Sequence, residues 1–324
     1  MGMEWYIVRR VAWAAIVTFI IVTITWGLMA AAPNPEVQAA ATQAAMDGDN
    51  PGEAADLAEQ RLELDRPLHV RFMDYVVGVY TLEWGWSTTR NEPVTDALLT
   101  ALYFTVQYSV PWTILTVLLG PLVGLYSAAN QYSWKDHAAT GFAFFGFAIP
   151  NFFFGIILLL IFGVQLGWIP IVYQTDVPVF SVENAIQLAI PIFVLVTGSV
   201  GAIMRVSRNE SAEYTNADFV KTARAKGVST YRIYFRHVLR PTMVPLSTTI
   251  VGYLLALFTG SSLLVEVVFG IPGLGRTLFD AVMAQDTSLV LGSTLFFTFV
   301  ATIGNLIQDL VYTVLDPRIS FEDR

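Results

Sequence analysis

The sequence lacks cysteine and carries few charged residues. Without cysteine, disulfide bonds and thiolate metal sites are excluded. The imidazole groups belong to His69, His137 and His237, which are far apart in sequence and show no ligand-like spacing, so we expect no metal site. Asp, Glu, Lys and Arg make up 14% of the chain, whereas a typical soluble domain has about a quarter. This composition argues against a soluble globular protein.

Several enzyme motifs are also missing. No phosphate-binding loop of the form G-x-x-x-x-G-K-[ST] occurs, so we expect no ATP hydrolysis by this chain. H-E-x-x-H and G-x-S-x-G are absent as well, which argues against membrane proteases of those types. Gly270, Gly273 and Gly275 form a glycine cluster without the required lysine, and we interpret it as a tight external or re-entrant turn. We therefore predict no catalytic residues.

Long apolar stretches dominate the sequence instead. Hydrophobic residues make up 55% of the chain, and its mean hydropathy is +0.57. An α-helix needs about 20 apolar residues to cross the hydrocarbon core of a membrane. Six uncharged windows meet this length: 11–32, 97–134, 138–175, 184–204, 241–265 and 287–308. We predict an all-α polytopic membrane protein with a bundle of six transmembrane helices.

Some residues within these windows predict local features. The first window is too long for a typical cleaved signal core, and we interpret it as a retained helix. Gly120 and Gly124 have the G-x-x-x-G spacing, which is typical of tight helix packing or a kink. We expect three prolines to break other spans, namely Pro111, Pro150 and Pro191.

The distribution of Lys and Arg predicts the orientation. Most of the 18 basic residues fall on one side of the six windows, and this side should be cytoplasmic. Both termini are then cytoplasmic in a multi-pass protein of the cell membrane. We predict three segments: 1–32 with the first helix, 33–96 as a small external domain, and 97–324 as a five-helix core with a cytoplasmic loop at 205–240.

The external segment holds most of the acidic residues. The net charge of −8 fits a host that lives in high salt, or simply an acidic external domain, and the sequence leaves both open. Pro51 to Leu64 can form a short helix, and the apolar and aromatic residues that follow can fold together or lie on the membrane surface. The segment is either a landing surface for an external partner or a cap over the helix ends.

The loop at 205–240 predicts two short helices. Thr215 and Asp218 fit a capping box, so the first helix should run from Asn216 to Lys226 and stop at Gly227. The second should start at Ser229 and end at Leu239, before Pro241. Small residues at positions 223, 225 and 227 permit close approach of another protein backbone, while the neighbouring basic residues could instead rest on anionic lipid headgroups.

A family resemblance rests on this loop. Residues 219–227, FVKTARAKG, and 236–241, RHVLRP, resemble the cytoplasmic "EAA" loop of ABC importer permeases, in the version of the dipeptide/oligopeptide/nickel branch. Other stretches are similar to that branch in the same order: 64–68 (LDRPL), 148–152 (AIPNF), 166–170 (LGWIP), 265–276 (VEVVFGIPGLGR) and 315–318 (LDPR). The general Glu-Ala-Ala consensus is replaced here by Lys221-Thr222-Ala223, and the Ala-rich stretch 38–46 matches no pattern of the branch.

The resemblance implies a transport function without catalysis by this chain. It identifies a coupling helix that seats in a groove of a cytoplasmic ATPase subunit, while a second permease subunit completes the pore and an external binding protein delivers a peptide-like solute. The coupling residues are then Asp218, Phe219, Val220, Lys221, Thr222, Ala223, Arg224, Ala225, Lys226 and Gly227. ATP and Mg²⁺ would be used by the ATPase, so this chain binds no cofactor. Membrane lipid is a further partner, and no nucleic acid is expected.

Alternatives remain at this stage. A secondary active transporter would also have six or more spans, but it usually shows internal repeats and needs no docking helix. An intramembrane enzyme would need a catalytic pair inside the bundle, which the sequence does not show. Glu266 and Asp309 fall at the ends of two windows, where they could serve function, reach the interface, or pair with Arg276 or a backbone donor. Peptide, nickel and oligosaccharide cargoes all stay open.

Overall fold

The computed structural model describes residues 3–259 and 262–315, and it is predominantly helical. The helices are α1 (Met3–Ala31), α2 (Pro35–Asp47), α3 (Pro51–Arg61), α4 (Leu68–Thr81), α5 (Val94–Ala129), α6 (Trp134–Ala148), α7 (Asn151–Leu158), α8 (Val182–Thr215), α9 (Asp218–Ala225), α10 (Thr230–Arg232), α11 (Leu239–Thr259), α12 (Leu263–Phe269), α13 (Leu274–Met283) and α14 (Thr287–Leu315). Two π-helical segments, Leu159–Gln165 and Ile233–Val238, follow α7 and α10. A two-stranded antiparallel hairpin joins β1 (Trp86–Ser87) to β2 (Glu92–Pro93).

The short helices after α1 begin where asparagine precedes proline. The side chain of Asn34 accepts the backbone N–H of Glu36 at 2.9 Å, and that of Asn50 accepts the N–H of Gly52 at 3.0 Å. Proline then occupies the first helical position, where its missing N–H costs nothing. Gly48, with a φ of +83°, ends α2 so that α3 can fold back against it. The short helix predicted from Pro51 is confirmed as α3.

Four helices are long and apolar enough to cross a membrane: α1, α5, α8 and α14. A fifth candidate is the pair formed by α6 and the following helix through Gln165, whose two arms are bent by 98°. The described residues thus support a multi-pass helical membrane protein. The predicted count of six spans stays a prediction, as do the three predicted segments, and part of the window 241–265 lies outside the described residues.

The prolines divide into two groups. Pro150 breaks its window as predicted, because it lacks an N–H and holds the preceding Ile149 in an extended conformation with φ −94° and ψ 127°. The prediction is wrong for Pro111 and Pro191, which lie inside the continuous helices α5 and α8. Membrane helices tolerate interior proline because neighbouring groups satisfy the freed carbonyls.

The chain forms two compact units, one of Met1–Ala101 with Thr277–Ile303 and one of Leu102–Arg276 with Gly304–Arg324. In the first unit, Val22, Val79 and Leu295 are buried together, and Trp84 stacks on Phe299 with ring centroids 6.2 Å apart.

The hairpin of the first unit is held by Asp286. The carboxylate accepts hydrogen bonds from the Ser87 hydroxyl at 2.6 Å and the Thr89 amide at 3.0 Å, and it caps α14 through the Leu289 amide at 3.0 Å. Burial alone would raise the pKa of Asp286, but these hydrogen bonds outweigh it and hold the pKa below its ordinary value. An ionised Asp286 therefore fixes the start of α14.

The second unit is built on close packing against α8. The G-x-x-x-G prediction is confirmed as a packing contact, since a Cβ atom at Gly120 would lie 2.6 Å from Ile203 and one at Gly124 would lie 2.6 Å from the Met204 carbonyl. On α6, a Cβ atom at Gly146 would collide with the Thr197 carbonyl, whereas Gly141 has open space around it. The glycines thus let α5 and α6 approach the α8 backbone.

Candidate functional site

The candidate site is α9, the eight-residue helix between α8 and α10. It begins at Asp218 and ends at Ala225, so the predicted limits of Asn216 and Lys226 are each slightly too wide. The predicted capping box is wrong: Thr215 is the last residue of α8, and its hydroxyl donates to the Ser211 carbonyl at 2.7 Å. Thr215 is itself helical and lies two positions before the N-cap of α9, so it does not cap this helix. Ala217 takes the N-cap position without a side-chain hydrogen bond.

The C-terminus of α9 follows the prediction. Gly227 has a φ of +76°, a conformation that costs a side-chain-bearing residue energy. Its N–H donates to the Arg224 carbonyl at 3.0 Å, and the N–H of Val228 donates to the Ala223 carbonyl at 3.1 Å. This pair of bonds is a Schellman motif, which satisfies two carbonyls that a helix end leaves unpaired. The prediction of Gly227 as the stop residue is confirmed.

The segment after α9 differs from its prediction. Ser229 precedes the next helix as predicted, although its side chain makes no cap hydrogen bond. The helix does not end at Leu239: α10 passes into the π-helical segment Ile233–Val238, and α11 continues from there through Pro241. In a π-helix each N–H bonds to the carbonyl five residues earlier instead of four. Such turns occur where a helix is irregular, for example near a proline. The short helix α10, the π-helical segment and α11 thus form one continuous helix.

One face of α9 is packed onto the rest of the second unit. Val220 is fully buried and Ala223 is 7% exposed, and both contact a cluster that includes Leu125, Ile233 and Val238. The expectation that three small residues all present a surface to another protein is therefore wrong for Ala223, which faces its own chain. Val220 and Ala223 therefore connect α9 to Leu125 of α5 and to the π-helical segment Ile233–Val238.

The opposite face of α9 is open and carries a net positive charge. Lys221 pairs with Asp218 at 2.9 Å, with 66% and 95% of their side chains exposed. The hydrogen bond from Lys221 lowers the pKa of Asp218. Phe219 is 47% exposed and packs on Tyr214 with ring centroids 6.4 Å apart. The remaining exposed positions are Thr222, Arg224, Ala225, Lys226 and Gly227.

A buried carboxylate lies in another part of the second unit. Glu266 of α12 is fully buried rather than at an exposed edge, and its Oε1 accepts hydrogen bonds from the hydroxyls of Tyr108 at 2.7 Å and Thr105 at 3.1 Å. Its Oε2 accepts the backbone N–H of Arg276 at 2.8 Å, which matches the expected backbone donor. A side chain at Gly273 would collide with this carboxylate. Glu266 thus fixes the glycine-rich turn to α5.

Sequence reasoning missed the two hydroxyl partners of Glu266. Each hydroxyl also accepts a backbone N–H, Thr105 from Leu274 at 2.9 Å and Tyr108 from Ser262 at 3.1 Å. Their spacing of three residues on α5 places them on one helix face, which is the signal that could have identified them. The side chain of Asp309, the other predicted carboxylate, lies outside the described residues. Among the described residues, no three His, Asp or Glu side chains are grouped to hold a metal ion.

Comparison with known proteins gives consistent matches along the chain. The family of binding-protein-dependent transport system inner membrane components matches residues 120–321, and the family of their N-terminal components matches residues 3–109. The oligopeptide transport system permease protein AppB of Bacillus subtilis is 31% identical and covers 98% of this chain and 99% of its own length. The glutathione transport system permease protein GsiC of Salmonella typhimurium is 31% identical over 82% of this chain and 84% of its own.

A solved structure has a similar fold. The methionine ABC transporter MetNI, in an inward-facing conformation, superposes with a TM-score of 0.53 at 16% identity. The match covers 68% of this chain and 97% of the other. This chain therefore shares its fold with that transporter structure over the matched part.

Proposed function

Since the chain belongs to the family of binding-protein-dependent transport system inner membrane components and is a permease subunit of an ABC importer, we propose that α9 couples it to a separate ATPase. The chain is not an enzyme, and the secondary-transporter alternative is not favoured. The single observation that carries the coupling proposal is the division of α9 into a buried apolar face and an open basic face. A helix that transmits movement between two proteins must contact both of them.

The proposed cycle uses differential contact in two states. Binding of ATP and Mg²⁺ closes the ATPase subunits, and the docked α9 moves with them. Val220 and Ala223 pass the movement into the cluster with Leu125 and Ile233, and from there to the membrane helices. A conformational change of this kind requires contacts that differ between the two states. The residues that would face the ATPase are Asp218, Phe219, Lys221, Thr222, Arg224, Ala225, Lys226 and Gly227.

A second permease subunit completes the pore, an external binding protein delivers the solute, and no cofactor is bound by this chain. We assign a peptide-like cargo because AppB and GsiC are named as oligopeptide and glutathione permeases. Six spans with both termini in the cytoplasm put α9 on the ATPase side, as the distribution of Lys and Arg favours.

The coupling proposal is tested by replacing Gly227 with valine. A Cβ atom at Gly227 meets nothing within 4 Å, so the substitution acts through backbone strain of about 1–2 kcal/mol and distorts the end of α9. Gly48→Val is the matched control, because Gly48 also has positive φ, at +83°, and open space, but lies at the end of α2. Both variants should reach the membrane in normal amounts.

The measurement is peptide uptake alongside ATP hydrolysis by the assembled transporter in proteoliposomes. We expect Gly227→Val to lose most uptake per ATP hydrolysed and Gly48→Val to keep it. Equal ratios in the two variants would refute coupling through α9. The topology is tested separately: a single cysteine introduced at Lys226 should be shielded from an impermeant maleimide in intact cells, and one at Glu53 should be labelled, against a background without native cysteine.

A further inference from the structure

A groove runs between α6 and α8, at the end of α8 that leads to α9. Its volume is about 390 Å³, within the range of about 300–1,000 Å³ that is typical of small-molecule sites. Its lining residues include Asp136, His137, Phe144, Phe147, Ala202 and Arg205. We call it the α6–α8 groove.

The two helices run antiparallel, so the groove has two chemically different ends. At one end, Arg208 of α8 pairs with Asp136 of α6 at 2.7 Å. Toward the other end, a Cβ atom at Gly201 would lie 2.7 Å from the Ala143 carbonyl. Polar lining residues therefore collect near the first contact, and Phe144, Phe147 and Ala202 collect near the second.

The polar end carries a net positive charge. Its acidic group, Asp136, is already neutralised by the two hydrogen bonds from Arg208. Arg205 is exposed, and within the described part of the chain no acidic side chain forms an ion pair with it. His137 and Asn209 line the same end and can donate hydrogen bonds. This end is therefore complementary to an anion.

The apolar end presents large aromatic surfaces. Phe144 is 58% exposed and Phe147 is 74% exposed, more apolar surface than a water-facing groove would leave uncovered. From Asp136 to Phe147 the helix rises about 16 Å, which is about half of the 30 Å hydrocarbon core. The groove thus matches one leaflet in length, with its charge at one end.

From charge, polarity and length together, we propose that the α6–α8 groove binds one anionic phospholipid, with its phosphate on Arg205 and an acyl chain along Phe144 and Phe147. The lipid fills a space beside the Asp136–Arg208 pair, next to the helix that carries α9. This lipid site is separate from the exposed face of α9, and it does not depend on whether α9 couples to an ATPase.

The test uses the assembled transporter in nanodiscs with a phosphatidylglycerol that carries a photoreactive acyl chain. We expect crosslinks to peptides covering 137–147 and 201–209. Arg205→Gln should lower this labelling about fivefold, the effect of one basic residue at a membrane surface. Arg236→Gln, an exposed basic position outside the groove, should leave it unchanged. Ala202→Phe, which fills the apolar end, should lower the labelling while Arg205 is intact.

Three results would overturn the proposal. The first is equal labelling by phosphatidylglycerol and phosphatidylcholine, with no effect of Arg205→Gln. The second is efficient competition by soluble glycerol phosphate, which would make the site one for free anions. The third is a photoreactive residue at position 144 that crosslinks to the companion permease, because the groove would then be a subunit contact.

Discussion

Substitution of Asp136 by asparagine probes the ion pair that joins the start of α6 to α8. The Arg208 guanidinium donates to both carboxylate oxygens, through Nε at 2.8 Å and Nη at 2.7 Å. The backbone N–H of Tyr132 donates to the same group at 2.9 Å, and the Ser127 hydroxyl donates to it as well. Asp136 is almost fully buried, whereas 24% of the Arg208 side chain is exposed.

The magnitude follows from this burial. Removing one partner of a fully buried pair costs about 3–5 kcal/mol, and since Arg208 keeps some access to water we expect about 2–3 kcal/mol for Asp136→Asn. Arg208→Gln should cost a similar amount, because it leaves the carboxylate with fewer donors. The double variant should be more stable than the sum of the two losses predicts, with a coupling energy of about 1–2 kcal/mol.

The assay is the free energy of unfolding, measured by titrating the purified chain in mixed detergent micelles with a denaturing detergent. Arg66→Gln is the control, since its pair with Asp74 at 3.0 Å is exposed and should contribute less than about 1 kcal/mol. If the losses of the two single variants add to that of the double variant within about 0.5 kcal/mol, the ion pair does not connect the helices energetically.

Three further outcomes follow from buried contacts. Gly146→Ala should lower the free energy of unfolding by about 1–3 kcal/mol through collision with α8, whereas Gly141→Ala, on the same helix but in open space, should be neutral or stabilising by up to about 1 kcal/mol; equal effects would contradict the packing. Glu266→Ala should cost about 1–3 kcal/mol for each buried donor left unpaired, and Glu266→Gln clearly less; proteolysis of the glycine-rich turn would report the difference. The pKa of Asp286 is lower in the folded state than in the unfolded chain. Asp286 therefore stabilises the folded state above its ordinary pKa of about 4, and this stabilisation is lost as the pH falls below that value. Asp286→Asn should therefore reduce stability at pH 7, and a gap that persists unchanged at pH 3 would refute this.

Much of the membrane architecture could be predicted from the sequence, because apolar length is a local property. The apolar windows that correspond to α1, α5, α8 and α14 could be identified without knowing any tertiary contact. Gly227 was also predictable, since the positive φ of a helix stop favours glycine over every other residue.

Features that depend on distant contacts were not predictable. The hydroxyl of Thr215 could accept a backbone N–H as an N-cap or donate to a carbonyl four residues earlier, and only the length of α8 decided between the two. The prediction for Ala223 failed because burial against Leu125 involves a helix almost a hundred residues earlier. The partners of Glu266 are 158 and 161 positions away, so no local pattern could reveal them.

The π-helical segment at Ile233–Val238 sets the rotational phase of α11. Each residue in a helix turns the chain by about 100°, so one extra residue in a wide turn decides which side of α11 faces inward. Thr242 and Leu246, which lie within about 40° of each other around the helix axis, are buried in the present phase. Deleting any one residue from this segment would rotate Thr242 and Leu246 by about 100° away from their present contacts. The number of residues in this segment is therefore constrained, because it decides which side chains of α11 are buried.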